Sequence, residues 1–246
     1  MGDQHAGGRC VTDYVVKPFE RPTLPGSPAN HDHPTGRRLI YFLIGCLIGI
    51  TGGLGNALVT VNLNFAQGTL DLYTNESAWL TGAYFMTNVT ANLLLVKYRQ
   101  EFGLQPFIRY SLVAYAATTL MHLFVHDFWT SVAVRAMSGI AASGLSTLTI
   151  LYFFQSLPAA KRLGAVMIGI CIPQLATPFA RILSPHLLEW GDWHNLYWLE
   201  FGLALATLAA VMSQPLPPGE REKVFEPAYF LTFGLLAPGL WLLIAV

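Results

Sequence analysis

Seven apolar stretches, each long enough to cross a bilayer, confine this chain to one kind of fold. They are Leu39–Asn62, Ala78–Val96, Phe107–Val125, Thr130–Gln155, Leu163–Leu188, Trp193–Met212 and Ala228–Val246. A hydrocarbon core about 30 Å thick takes about 20 residues of α-helix to cross. In lipid the backbone must satisfy its own hydrogen bonds, which leaves helices as the reading for segments of this length. The chain is 53% hydrophobic and 11% charged, whereas charged residues make up about a quarter of a soluble domain. The expected class is therefore an all-α membrane protein. Lys and Arg together number 14 and so do Asp and Glu, so no basic excess points to nucleic acid.

The placement of the cations predicts orientation, because Lys and Arg in short loops stay on the cytoplasmic side. Arg9, Lys17, Arg21, Arg37 and Arg38 precede the first stretch. Lys97 and Arg99 follow the second, Lys161 and Arg162 the fourth, and Arg221 and Lys223 the sixth. The alternate connections, Gly68–Ser77, His126–Trp129 and Glu189–Asp192, hold no Lys or Arg. A cytoplasmic N terminus and a multi-pass protein of the inner (plasma) membrane follow. Residues 1–38 have no apolar window and several prolines, and read as a disordered cytoplasmic tail without a signal-peptide core. The expected organisation is that tail, a six-helix unit over 39–212, a proline-rich cytoplasmic linker over 213–227 and a seventh helix over 228–246. The last apolar window closes on Val246, which reads as a truncated piece of a larger protein.

Lipid gives little hydrophobic reward for helix contact, so helices approach through small residues. Gly45, Gly49 and Gly53 recur every fourth residue of the first stretch, and Ser138, Gly139, Ala142, Ser143 and Ser146 mark the fourth. Close packing is expected at both. Pro173 and Pro178 each remove a backbone donor from the fifth stretch and predict a kink or hinge.

Ionisable groups inside a span are costly and are functional candidates by default. Arg135, Arg181 and Glu200 each fall on the order of 10 Å below the outer surface at 1.5 Å rise per residue. Their common depth allows an Arg–Glu bridge, and a carboxyl group in that layer suits proton exchange. A static bridge, with arginines reaching toward the interface, is the structural alternative. Neutral polar residues offer a lining for a water-filled path: Asn56, Thr60 and Asn62; Thr81, Tyr84, Asn88 and Asn92, which step by three, four and four along one helix face; and Gln174 with Thr177. Interhelical hydrogen bonding accounts for them nearly as well.

Other chemistry finds little support. Cys10, Cys46 and Cys171 are far apart in sequence and suggest no disulfide framework. His31 and His33 have ligand spacing but sit in a polar tail, so no metal is expected. His122, His126 and Asp127 read as an interfacial group at the outer end of the third stretch. No phosphate loop, H-E-x-x-H or G-x-S-x-G motif occurs, and neither a cofactor nor an enzymatic reaction is expected.

Four stretches resemble a known family. Val59, Thr60, Val61 and Asn62 resemble its T-x-V-N-x-A run. Ser77, Trp79, Ala83 and Tyr84 resemble the S-x-x-W-x-x-x-A-Y opening of its second span. Arg135 and Gly139 match its R-x-x-x-G element. Trp193 to Trp198 resembles the aromatic entry of its sixth span. These are features of major facilitator superfamily transporters, in particular the fourteen-helix drug:proton antiporters, and the resemblance covers about residues 40 to 215. The chain departs from that pattern where Ala57 replaces the usual first-span Asp, where Glu200 replaces Asn, and in the loop Val96–Pro106, which keeps only the final Gly103 of G-x-L-A-D-R-x-G-R-R.

The resemblance implies a six-helix major-facilitator-type half bundle plus a seventh transmembrane helix. Two such halves enclose a midplane site and rock against each other, so a carboxyl-terminal half would be needed. It implies proton-coupled export of small amphipathic or toxic organic compounds, with Arg135 in coupling; Glu200, at the same depth as Arg135, is the expected protonatable group. It also suggests a periplasmic adaptor and an outer-membrane channel as partners. The alternative is a non-transporting membrane scaffold or subunit, or an inactive truncated transporter.

Overall fold

Residues 27–28, 33–158, 161–189, 194–217, 219, 227–229 and 231 are described by the structure, a computed structural model. Apart from Ala228, Tyr229 and Leu231, the seventh apolar window lies outside the described residues, as do Cys10, His31 and Trp193. The described elements are helices: α1 Thr35–Val61, α2 Leu63–Thr69, α3 Thr74–Phe102, α4 Leu104–Met121, α5 Phe128–Ser156, α6 Arg162–Gln174, α7 Ala176–Glu189 and α8 His194–Ser213. A 3-10 turn, His122–Phe124, extends α4. The end of the bundle where α1 begins is called the base, and the end where it finishes the crown.

Among the described residues, four segments are long and apolar enough to cross a membrane by length and composition: α1, α5, Leu163–Glu189, which spans α6 and α7, and α8. The second and third stretches form helices, α3 and α4, that are less apolar. Asn88 and Asn92 dilute α3, and Gln105 and Arg109 dilute the first turns of α4. Large apolar side chains such as Val89, Val113, Ile140, Met167 and Ile182 point out of the bundle, as a lipid-facing surface requires.

Local chemistry sets the boundaries. Helix α1 starts at Thr35, four residues ahead of its apolar window, behind an extended Pro34. It stops where the Asn62 amide turns back to donate to the Leu58 carbonyl at 2.7 Å. Gly103 joins α3 to α4 at φ 91°, a left-handed conformation that a side chain would strain. Asp127 caps α5 by accepting from the Thr130 amide at 3.3 Å. Its carboxyl is held below the usual carboxylate range by the Thr130 hydroxyl and then by that amide.

Helix α5 is the centre of the bundle and packs against α1, α3, α4 and α6. Leu145, Leu148 and Tyr152 are buried along it, against Ile48 of α1 and Phe107 and Leu112 of α4, and Phe153 is buried against Phe42 and Gly45 of α1. Small residues set how closely its neighbours approach. A Cβ on Gly139 would meet the Tyr84 carbonyl and the Thr87 hydroxyl of α3. Along α1, Gly45 lies against Phe153, Gly49 against Ile172 and Thr149, and Gly53 against the Pro173 carbonyl and Ala176.

The fifth stretch is interrupted rather than bent. Pro173 closes α6 and Pro178 lies in the first turn of α7, with Leu175 between them donating to Ile172 at 3.1 Å. A proline ring crowds the carbonyl four residues back, and for Pro178 that carbonyl belongs to Gln174, the last residue of α6.

The base is tied together by groups from both sides of the six-helix unit. Tyr152 donates to the Gln214 carbonyl at 2.9 Å, Gln105 to the Leu216 carbonyl at 2.9 Å and Tyr41 to the Pro215 carbonyl at 3.4 Å. Leu216 is buried, and Pro28 bridges to Gly219. His33, expected in a solvated tail, is buried: its Nε2 lies 3.0 Å from the Gln155 Oε1, and its ring 4.9 Å from that of Tyr41. The ring supplies apolar area as well as a polar edge, and Tyr41 and Gln155 at the base satisfy both.

Candidate functional site

A partly open cavity of about 180 Å³ lies between α1, α3, α5 and the α6–α7 break. Gly49, Gly52 and Gly53 leave room on the α1 side, and the break brings Pro173, Gln174 and Thr177 to the opposite wall. Asn56, Tyr84, Asn88, Ser146 and Thr149 supply polar groups, and among the described residues no charged side chain lines the cavity. Asn88 donates to the Gly139 carbonyl at 3.0 Å and accepts from Asn92 at 3.2 Å.

Behind this wall lies a layer of buried ionisable groups. Arg135, 2% exposed, donates to Asn56 Oδ1 at 2.8 Å and to the Leu80 carbonyl at 3.4 Å, and its guanidinium lies 4.6 Å from the Tyr84 ring centre. All three partners are neutral. Glu200, 3% exposed, sits against the backbone of Gly55, where a Cβ would collide with its carboxyl group. The Tyr115 hydroxyl lies 2.8 Å from Glu200 Oε1 and 2.9 Å from the Thr51 carbonyl, while Glu200 Oε2 is buried with no hydrogen-bond partner. Thr51 pairs with Thr207 at 2.8 Å, completing a polar seam between α1, α4 and α8.

The tyrosine limits the protonation of this group. A phenol carries one hydrogen, yet two acceptors lie within hydrogen-bond distance of it. With a proton on Glu200 Oε1, the carboxyl donates to Tyr115 and Tyr115 donates to the Thr51 carbonyl. With Glu200 ionised, Tyr115 can turn to Oε1, but Oε2 stays a buried, charge-bearing oxygen without a partner, and an unmet buried polar group costs about 1–3 kcal/mol, more when it is charged. The geometry fits a carboxyl that holds a proton.

The candidates read from the sequence therefore divide. Asn56, Tyr84, Asn88, Gln174 and Thr177 line the cavity, with Gly49, Gly53 and Pro173, and Asn92 stands directly behind Asn88. Thr60 is exposed and bonds back to the Asn56 carbonyl. Asn62 also donates to Ser184 of α7 at 2.7 Å, near the crown. The Thr81 hydroxyl is buried without a partner and lies outside the cavity. The direct Arg135–Glu200 bridge that their depth allowed is not formed. Each finds a nearer partner on α1 or α4, and Arg181 is exposed. His122, read as interfacial, is buried. Sequence reasoning missed Thr51, Tyr115, Tyr197 and Thr207. The signal that could have found them is helical spacing, with Tyr115 and His122 seven apart and Tyr197 and Glu200 three apart.

Residues 40–246 match the family model described as Major Facilitator Superfamily. The chain is also similar to MFS transporter L2 of Phoma sp., 23% identical over 74% of this chain and 31% of that protein. A D-xylose transporter of Levilactobacillus brevis is 23% identical over 50% of this chain and 27% of its own length. The chain thus spans about a third or less of the curated relatives it matches. Members of this family are transporters and not enzymes, and the match joins the apolar helices in marking a multi-pass membrane protein. A single family model covering nearly all of the helical bundle places this chain in the major facilitator superfamily.

Proposed function

We propose that the chain forms the amino-terminal part of a proton-coupled transporter of small organic compounds, with Glu200 as the group that takes up and releases the proton. The observation that carries this reading is the double membership of Asn56, which lines the cavity and also holds Arg135 at 2.8 Å. A solute that hydrogen-bonds Asn56 competes with Arg135 for its carbonyl oxygen. Arg135 then loses a neutral partner and gains from an ionised Glu200, which favours proton release. Proton loading reverses the exchange and returns Arg135 to Asn56. Solute and proton exclude one another, as exchange in opposite directions requires. The base is then the cytoplasmic end, in keeping with its Lys and Arg residues.

Export of amphipathic or toxic compounds through the plasma membrane is supported by the resemblance of the Arg135-to-Gly139 and Ser77-to-Tyr84 stretches to drug:proton antiporters. A second reading, movement of a neutral hydroxylated solute, is favoured by the uncharged, amide-bearing cavity wall and by the D-xylose transporter among the relatives. One experiment separates the readings. Inverted membrane vesicles containing the protein are energised and loaded with a pH-sensitive dye, then challenged with lipophilic amines or with pentoses. A compound that is moved dissipates the proton gradient, and Glu200→Gln abolishes that response. A response that survives the substitution removes Glu200 from coupling.

A further inference from the structure

The seam between α4 and α8 continues from Glu200 toward the crown in a way the coupling scheme does not use. Tyr197 lies three residues before Glu200 on α8, and His122 lies seven after Tyr115 on α4, so each pair shares a helix face. The two faces meet twice. Tyr115 pairs with Glu200, and one step nearer the crown the His122 ring stacks on Tyr197 with centroids 4.5 Å apart and planes inclined by 19°.

His122 is 3% exposed. Its Nδ1 lies 2.9 Å from the Thr118 carbonyl, which can only accept, so that nitrogen carries the hydrogen. Nε2 is then the basic nitrogen, and it is buried with no hydrogen-bond partner. Leaving such an atom unmet is costly, and neither the stack on Tyr197 nor the Nδ1 bond to Thr118 needs it. The 3-10 turn that carries His122 is followed by the exposed His126 and Asp127 at the crown surface. The other ionisable groups within electrostatic reach are Tyr197 and Glu200 of α8, Tyr115 of α4 and Arg135 of α5.

We propose that His122 is the proton relay between water at the crown and the Glu200 carboxyl group, an inference that rests on Glu200 being the proton-holding site. Nε2 accepts a proton from crown-side water while Nδ1–H stays on Thr118, giving an imidazolium. The Nε2 proton then passes to the Glu200 carboxylate in one intervening hop, through the Tyr197 hydroxyl or a water molecule. Each hop breaks one N–H or O–H bond and forms another. The ring ends neutral with Nδ1–H intact, and release toward the crown runs the same steps backward.

Exchange of the Glu200 proton tests this without any solute. The purified full chain in phosphatidylcholine nanodiscs is diluted into D2O, and the C=O stretch of the protonated carboxyl, assigned by its loss in Glu200→Gln, is followed by infrared spectroscopy. His122→Phe keeps the ring stack and removes both nitrogens, and we expect the deuterium shift of that band to slow at least tenfold. A variant that merely loosened packing would admit water and exchange faster, so slowing is specific to a relay. An unchanged or faster rate in folded His122→Phe overturns the relay and leaves the Glu200 site standing. Absence of the band in the unsubstituted protein takes down the site and the relay together. Should His122→Phe fail to fold, His122→Gln is judged by the same rate.

Discussion

Helix α5 and the α6–α7 segment cover nearly the same length, 29 and 27 residues, yet they are built in opposite ways. The apolar window of α5 is 67% buried inside the bundle and that of α6–α7 only 22%. Helix α5 is uninterrupted, capped by Asp127 and packed on four neighbours, whereas α6 has no side-chain cap and gives way between two prolines. The centre supplies order, because each residue there is fixed by several others. The periphery supplies the opening, since an interrupted helix with one crowded side can expose Gln174 and Thr177 to the cavity without loss to the core.

The contrast can be broken by adding volume on each side. Gly139→Leu drives a side chain into the α3 backbone at Tyr84, where neither helix can withdraw, and should cost about 3 kcal/mol. Gly53→Leu meets the Pro173 carbonyl and Ala176, but α6–α7 has lipid behind it and can retreat, so about 1 kcal/mol is expected. Thermal midpoints of the two purified variants check the order, and equal losses would show that the periphery is as rigid as the centre. The smallest effect concerns the cap of α5. Asp127→Ala should lower the midpoint slightly at pH 7. Because the folded carboxyl is held below its unfolded value of about 3.9, its contribution is present above that value and is lost as the pH falls through the lower folded one. The difference between the two proteins should therefore narrow in strong acid, and a gap that keeps its full size there would mean that the charge of Asp127 contributes nothing to the cap.

Much of the bundle was legible because transmembrane helices announce themselves by length. Each of the first six apolar stretches corresponds to a described helix or, for the fifth, a broken pair. Azimuth was harder to read than height. Arg135 and Glu200 were placed at one depth, but depth does not say which way a side chain points, and the two reach different helices. The stripe Thr81, Tyr84, Asn88, Asn92 shares a face, yet only its two middle members reach the cavity wall, because the opening is shorter than the stripe. Tyr115, Tyr197, Thr51 and Thr207 read as ordinary filling, since hydroxyls of this kind often bond within their own helix. Their partners across α1, α4 and α8 become visible only once the helices are assembled. His33 was lost in a proline-rich tail for a related reason: nothing local reveals a docking partner 122 positions away.

The knot at the base has a bearing on biosynthesis. Gln105, Tyr41 and Tyr152 grip the strand that leaves α8 using carbonyls at residues 214 to 216, so every group needed to fasten it has already been translated when that strand emerges. Such a unit can tie itself off while the ribosome is still working, and any later hydrophobic segment would then meet a finished surface.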